Sequence, residues 1–481
     1  MTTAMMTLAH AQSLLLSQGL SCRLVGDPTI TIRRVHTDTR SLELGDLFVA
    51  LQGERYDAHT FLPQAAAAGA VAVIARNGTI PQGQSGLEVA DTLEALQALA
   101  RAWRRQMPEM LVLIAVTGSN GKTTVTQMIR SILQAWCGES ALATAGNLNN
   151  HIGVPLTLLR LRSSLALTHQ AAVLELGMNH PGEIAQLAAM AQPTVALVIN
   201  AQREHQEFMH TVDAVARENG QVLRALSNAG SAVFPGFDAY TPLWHSLATQ
   251  NKPTHDAPVC MTFNATDSSH APDATVHITQ HTWMGQYWGV HIHTPVGPTS
   301  FQLHMAGKHN LHNALAAATA ALAAGASLKA IEQGLTTFRP VSGRCQHQKM
   351  IVGSQTVDLI DDTYNANPDS VRAAIDLLTT LPGPRGLILG DMGEVGENGP
   401  AFHTEIGEYA AASDIAHVWT VGKLSQHTAQ AFAGARYFPS MEALLNELQQ
   451  WPTCASVLVK GSRFMKMERV VRRWQEVYSC Y

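Results

Sequence analysis

One stretch constrains this chain more than any other. An apolar run at residues 111–116 leads into Thr117-Gly118-Ser119-Asn120-Gly121-Lys122-Thr123-Thr124, and a helical pattern follows at 125–136. Strand, glycine-containing turn and helix in that order read as a phosphate loop. The glycines let backbone N–H groups approach an anion, and the helix N-terminus adds positive potential. Lys122 is then placed to neutralise β/γ-phosphate charge, and the Thr123 hydroxyl to meet Mg²⁺. Gly118, Ser119, Asn120, Gly121, Lys122, Thr123 and Thr124 are therefore the candidate nucleotide residues. The spacing departs from the usual G-x-x-x-x-G-K-[ST], because Val116 stands where the first glycine belongs. The plain alternative is a glycine turn with an incidental lysine.

The rest of the chain supplies a setting for such a loop. At 481 residues it is long enough for about three domains. Short β-like runs at 29–33, 46–51 and 71–74 surround an alanine-rich helix at 64–68, which makes a small α/β unit. A helix at 92–106 and Pro108 precede the phosphate-loop strand. Apolar strands at 111–116, 172–176 and 195–199 then alternate with helices at 125–136 and 183–190, the pattern of a mostly parallel sheet with helices on both faces. Runs at 276–278, 288–293 and 300–304 read as antiparallel strands, and an alanine-rich helix at 314–324 closes the unit. After Pro340, strands at 356–361, 386–389, 417–421 and 456–459 make a third α/β segment. The expected fold class is α/β, with domains at 1–90, 91–340 and 341–481.

Composition excludes several classes. A net charge of −5 argues against a generic nucleic-acid binder. Six scattered cysteines without a C-x-x-C pair point to a reducing compartment, with no disulfide framework and no zinc module. The first 20 residues lack an early Lys or Arg and read as an amphipathic helix rather than a signal peptide. No apolar run reaches the ~18 residues of a membrane span. A cytoplasmic protein without membrane insertion is expected.

Other candidates fall at strand ends, where open α/β sheets collect ligands. Glu175 ends a strand expected beside the phosphate-loop strand, and its carboxylate suits Mg²⁺; alone, it is a solvated or capping residue. His205 follows the next strand at the same edge, although most of the 22 histidines must be structural; His291 and His293 read as same-face strand residues. Asn147, Asn149 and Asn150 offer dense amides, or simply turn chemistry. His309, Asn310 and Asn313 share a helix face that could meet a base, or Asn310 caps the helix. Asp361 and Asp362 end another strand, and Asn367 before Pro368 is a good N-cap.

Taken together, T-G-S-N-G-K-T-T, N-L-N-N-H-I-G-V-P, E-L-G-M-N-H, G-K-H-N-L-H-N-A-L-A-A, Gly343-Arg344, D-D-T-Y-N-A-N-P and G-D-M-G-E-V-G occur in the order seen in the Mur ligases. The chain resembles that family over nearly its whole length. The resemblance implies three domains: an N-terminal UDP-sugar-binding unit, a central P-loop ATPase and a Rossmann-like C-terminal domain. It implies ATP and Mg²⁺ as cofactors, with Lys122, Glu175 and His205 as the catalytic set and Thr123, Glu175 and His205 on the metal. Asn313, Arg344 and Asp362 would contact adenine, phosphate or ribose. Asp38, Thr39, Arg40 and Ser41 would lie at the nucleotide-sugar site. Asn149, Asn150 and Asn365 would face the substrate, with Asp391 and Glu394 near the amine pocket.

The implied partners are UDP-N-acetylmuramoyl-tripeptide and D-alanyl-D-alanine, joined through an acyl phosphate by a chain expected to be a monomer. The alternatives are a sister amide ligase adding a single amino acid, of another Mur or folylpolyglutamate synthase type, or a non-catalytic nucleotide-binding regulator. One position departs from the family. Asn219 stands where a carbamylated lysine is usual, so the second magnesium site loses a negative charge unless Glu218 or another nearby acid replaces it.

Overall fold

Along strand Val112–Thr117 the apolar side chains alternate between two cores. Leu113 and Ala115 face one, Ile114 and Val116 the other, and all four are buried. A strand covered on both faces belongs in the middle of a parallel sheet flanked by helices. The computed structural model, which describes residues 4–54, 56–227, 229–250, 257–265, 274–352 and 355–478, places it there.

Among the described residues the central sheet has nine strands. From Ala141–Ala143 it runs through Ala171–Glu175, Val112–Thr117, Val195–Val198, Ser231–Pro235 and Val259–Asn264 to Val276–Trp283, every neighbouring pair parallel. Trp288–His293 and Thr299–Leu303 extend it as an antiparallel meander. The change of direction follows from the connections: helical crossovers join parallel strands, short turns join hairpins. His291 and His293 lie on one exposed face of the meander, as expected of plain strand residues.

Two further sheets flank this one. Residues 22–89 form a five-stranded sheet in which Arg34–His36, Asp46–Val49, Ala70–Arg76 and Gly86–Val89 are parallel and Cys22–Val25 pairs antiparallel at the edge. The C-terminal sheet has six strands. Gln355–Asp362, Ser456–Lys460, Arg385–Gly390, His417–Val421 and Arg436–Phe438 are parallel, and Gln346–Val352 adds an antiparallel edge.

Several expectations shift. The strand read at 29–33 shrinks to Thr31–Ile32, because the Asp27 carboxylate accepts bonds from the Thr29 N–H and hydroxyl and holds a turn there. The phosphate-loop helix is Lys122–Cys137 and starts earlier than its apolar pattern. The alanine-rich helix is Lys308–Ala323, and it does not close the unit. Helix Leu328–Thr337 follows and packs on Lys122–Cys137, where a Cβ on Gly334 would lie 2.4 Å from the Ile132 Cα. Strand Gln346–Val352 was not expected, its alternation of half-buried polar residues being too weak to read.

The two faces of the central sheet have different neighbours. Ile114, Val116, Leu197 and Val233 pack with helices Lys122–Cys137 and Lys308–Ala323, and that core continues through Phe338 and Cys345 to Ile360 of the C-terminal sheet. Leu113, Ala115, Leu174 and Val198 share a core with helix Thr92–Arg105 and with Leu47, Ile74 and Leu87 of the N-terminal sheet. Cys22, Cys137, Cys260, Cys345 and Cys454 are free thiols; Cys480 lies outside the described residues. Among the described residues no helix is long and apolar enough to cross a membrane.

Candidate active site

Sheet order brings the expected residues to one edge. Val112–Thr117 lies between Ala171–Glu175 and Val195–Val198, with Glu175 in register with Val116 and Val198 with Thr117. The loop 118–121, Glu175 and residues 199–205 therefore leave the sheet side by side. Gly121 has φ +87, and a Cβ there would lie 2.4 Å from the Asn313 Oδ1. Only glycine allows both the left-handed turn and the approach of helix Lys308–Ala323.

The edge opens into a cavity of about 1140 Å³ between the central and C-terminal sheets. The Lys122 ammonium donates to the Ser119 carbonyl (3.2 Å), to the Gly118 carbonyl and to the Glu204 carboxylate (2.9 Å). Arg344 reaches across from the opposite wall and donates to the Thr123 hydroxyl at 2.9 Å, its guanidinium stacked 3.9 Å over the Tyr364 ring. Asn120 exchanges amide bonds with Asn367, whose side-chain oxygen also caps helix Pro368–Thr379 by accepting from the Ser370 N–H. Asn149 donates to Glu175 at 2.8 Å.

His205 has φ +47, and its Nδ1 lies 2.7 Å from a carboxylate oxygen of Glu394, which has φ +57. Two non-glycine residues in the left-handed region, facing each other across a cleft, mark a place where the chain gives up backbone comfort to position side chains. His205 holds the Glu394 carboxyl below its usual range, against the opposing effect of burial.

Residues 116–321 match the Mur ligase middle domain, and residues 343–463 the Mur ligase glutamate ligase domain. The UDP-N-acetylmuramoyl-tripeptide–D-alanyl-D-alanine ligase of Escherichia coli is 39% identical over 94% of this chain and 95% of its own. A crystal structure of MurF from Acinetobacter baumannii superposes with a TM-score of 0.84 at 33% identity, over 97% of this chain and 98% of that one. MurF from Thermotoga maritima in complex with ADP has the same fold, with a TM-score of 0.77 at 23% identity over 93% and 98% of the two chains. The chain belongs to the Mur ligase family.

In this Mur ligase the cavity is lined by Ser119, Asn120, Gly121, Lys122, Thr123, Thr124, Asn149, Asn150, Glu175, His205, Asn313, Arg344, Asp362, Asn365 and Glu394. Their settings differ. The Asn150 oxygen accepts from the Ile152 and Gly153 N–H groups and so holds the turn that leads into helix Gly153–Leu158. Asn310 is not the N-cap of its helix. Gly307 holds that place, and Asn310 donates back to the Ala306 carbonyl while accepting from Asn313. Burial pushes the pKa of Asp362 up, yet the charge of Lys460, 2.5 Å away, outweighs it and holds the carboxyl below its usual range.

Three expected groups lie elsewhere, the nearest being Gly118, which donates its N–H to the Asn219 Oδ1 and does not line the cavity. Asp391 does not line the cavity; it is buried, accepting from the Lys423, Leu424 and Ser425 N–H groups at 2.7–3.0 Å and fixing that turn. Asp38, Thr39, Arg40 and Ser41 lie outside it too, just past the carboxyl end of strand Arg34–His36. There the Arg40 side chain holds the Asp38 carboxyl down to about 2.

The structure also brings in residues that the sequence reading passed over. Asn200 accepts from the Ser119 and Asn120 N–H groups, both at 3.0 Å. Gln202 accepts from Asn120, and Lys460 donates to Asp362 and to the Asn365 carbonyl. Glu204 is the least expected, being a buried carboxylate beside the loop lysine. For Asn200, Gln202 and Glu204 the signal was position alone, since 200–205 follows the strand next to the phosphate-loop strand; Lys460 ends strand Ser456–Lys460 of the C-terminal sheet.

Among the described residues no group of three or more His, Cys, Asp or Glu side chains stands ready to hold a metal ion. The donors present still fit Mg²⁺ brought in with a nucleotide, since that ion takes one or two protein carboxylates and completes its shell with phosphate and water oxygens. Thr123, Glu175 and His205 all line the cavity.

Proposed function

We propose that this Mur ligase joins D-alanyl-D-alanine to the terminal carboxylate of UDP-N-acetylmuramoyl-tripeptide at the expense of ATP, in the cytoplasm and as a monomer, using domains at 1–90, 91–340 and 341–481. The observation that carries the reading is the meeting of Lys122, Thr123, Glu175 and His205 on one wall with Arg344 and Glu394 on the other. It is joined by a likeness to D-alanyl-D-alanine-adding relatives that spans nearly the whole chain.

The peptide carboxylate attacks the γ-phosphate to give an acyl phosphate and ADP. The free amine then attacks the acyl carbon and expels phosphate. Both steps bring anions together, so positive charge held in advance lowers the barrier. Lys122 and Arg344 supply it from opposite walls. Mg²⁺, when bound, would add charge neutralisation at the phosphates, and Thr123, Glu175 and His205 are the groups that could hold metal in the cavity. Asn149 orients the Glu175 carboxylate, and Asn313 presses on the loop and fixes the path of the first helical turn. Asp38–Ser41, at the carboxyl end of a parallel strand, sits where a nucleotide sugar would dock.

ADP release measured with each substrate alone and with both tests the reading. Strict dependence on the nucleotide tripeptide and D-alanyl-D-alanine is expected. Release supported by a single amino acid would make the chain a sister ligase, and no release with any acceptor would make it a nucleotide-binding regulator.

A further inference from the structure

Glu204 sets an electrostatic problem inside this cavity. It is 5% exposed, and a buried carboxylate needs a cation or strong donors to stay charged. Its Oε2 takes the Lys122 ammonium at 2.9 Å, and its Oε1 takes the Asn219 amide at 3.2 Å. Lys122, however, opens the phosphate-loop helix, and its partner in the working enzyme is a phosphate. When a polyanion draws the ammonium away, Glu204 faces that same polyanion without its counter-charge. Another cation in the place of Lys122 would resolve this and leave the carboxylate charged.

The neighbourhood fits such an ion. Glu204 Oε2 and His205 Nε2 stand 3.8 Å apart. Two ligands each about 2.1 Å from one octahedral ion lie ~3 Å apart when cis and ~4.2 Å apart when trans, so a shift of ~0.4 Å brings this pair to the trans spacing. Both residues line the cavity. Asn219 is 1% exposed and holds the carboxylate in place: its Oδ1 accepts from the Gly118 N–H at 3.0 Å while its Nδ2 donates to Glu204, tying the acid to the loop. Glu218 is excluded, because its carboxylate accepts from the Ile184 N–H at 2.8 Å and does not line the cavity.

We infer that Glu204 is an encoded ligand for a second divalent cation, shared with His205 and presented by Asn219, which takes up the charge that Lys122 leaves behind when nucleotide binds. This restores the negative charge missing at position 219. The inference rests on ATP being the nucleotide, and its test uses no peptide substrate, so a wrong acceptor assignment leaves it standing.

The test counts Mn²⁺ bound in the presence of a non-hydrolysable ATP analogue, by electron paramagnetic resonance. Wild type is expected to bind two ions, and Glu204→Gln, which keeps the shape and removes the charge, one. Asn219→Ala is expected to keep both ions but to weaken the second by ~10-fold or more, as the loss of an orienting partner does. Should Glu204→Gln fail to fold, Glu204→Asp serves: the shorter acid retains the charge, and the second ion weakens while the first is unchanged. Undiminished affinity for two ions in Glu204→Gln, or in Glu204→Asp where that variant stands in, would overturn the inference. So would a wild type that binds a single ion, leaving Glu204 as a resting place for Lys122.

Discussion

At the scale of single residues, Lys122 and Glu204 have to be judged together. Each is the other's counter-charge, at 2.9 Å and with little solvent. Lys122→Ala should lower ADP release by at least ~100-fold, in the range seen when one preset charge-stabilising donor is removed. It should also destabilise the fold by ~3 kcal/mol, because it strands a buried carboxylate. The double variant Lys122→Ala/Glu204→Gln separates the two effects: urea denaturation should show most of the stability restored, with turnover still lost. A double variant as unstable as the single one would mean that the pair does not carry this energy. Asn219 leads to a different expectation. An amide takes up no CO₂, so turnover in CO₂-depleted buffer should equal turnover with added bicarbonate; a loss rescued by bicarbonate would contradict it. Lys122, Thr123, Glu175 and His205 were legible because strand ends and glycine turns leave local marks. Glu204 left none: a glutamate beside a histidine in a polar loop looks solvated until the packing of helix Val212–Asn219 buries it.

At the scale of elements, the legible parts are those whose apolar period is undiluted. Strands Trp288–His293 and His417–Val421 fall where they were expected, and the parallel order of the central sheet followed from strand–helix alternation. Edges and caps were harder, because side-chain bonds decide them: Asp27 cuts one strand short, and Gly307 rather than Asn310 caps the alanine-rich helix. In the C-terminal sheet, Asp362 and Lys460 are register partners at the ends of neighbouring strands, joined by a buried ion pair. Asp362 is held below its usual carboxyl pKa, so its contribution to stability is complete above the unfolded value of about 3.9 and is lost as pH falls through the lower folded value. Lys460→Met removes the partner. At pH 7 it should cost ~3 kcal/mol in urea denaturation, and the gap to wild type should narrow as pH falls toward and through ~4, because burial without the partner makes the stranded acid take up a proton more readily. A gap that stays constant with pH would show that the pair does not stabilise these strand ends.

At the scale of the molecule, the two seams around the central sheet are built differently. The N-terminal sheet shares an apolar core with one face through helix Thr92–Arg105, which favours a fixed attachment. Around the cavity, the C-terminal unit is held by polar contacts that converge on one short segment. Gln202 grips Asn120 of the loop. Arg203 takes Asp369 at 2.6 Å and Glu405 at 2.7 Å from the C-terminal side, and His205 meets Glu394. These two acids hold the Arg203 guanidinium's pKa up, and Arg203 in turn holds Glu405 below its usual range. The pairs are only partly shielded, so salt should loosen them, unlike the apolar seam. Because segment 202–205 touches the loop and the far wall at once, releasing Arg203 should open the cleft without altering a group that touches substrate. Arg203→Ala is expected to raise the radius of gyration of the nucleotide-free enzyme in small-angle scattering. It should also cut kcat/KM by up to ~100-fold through misplacement of the two walls. Wild type in high salt should shift toward the same scattering profile, and excess nucleotide should compact the variant again, since Arg344 and Asn367 still span the cleft. A variant as compact as wild type at low salt, with unchanged kinetics, would assign closure to the continuous core through Phe338 and Cys345 instead.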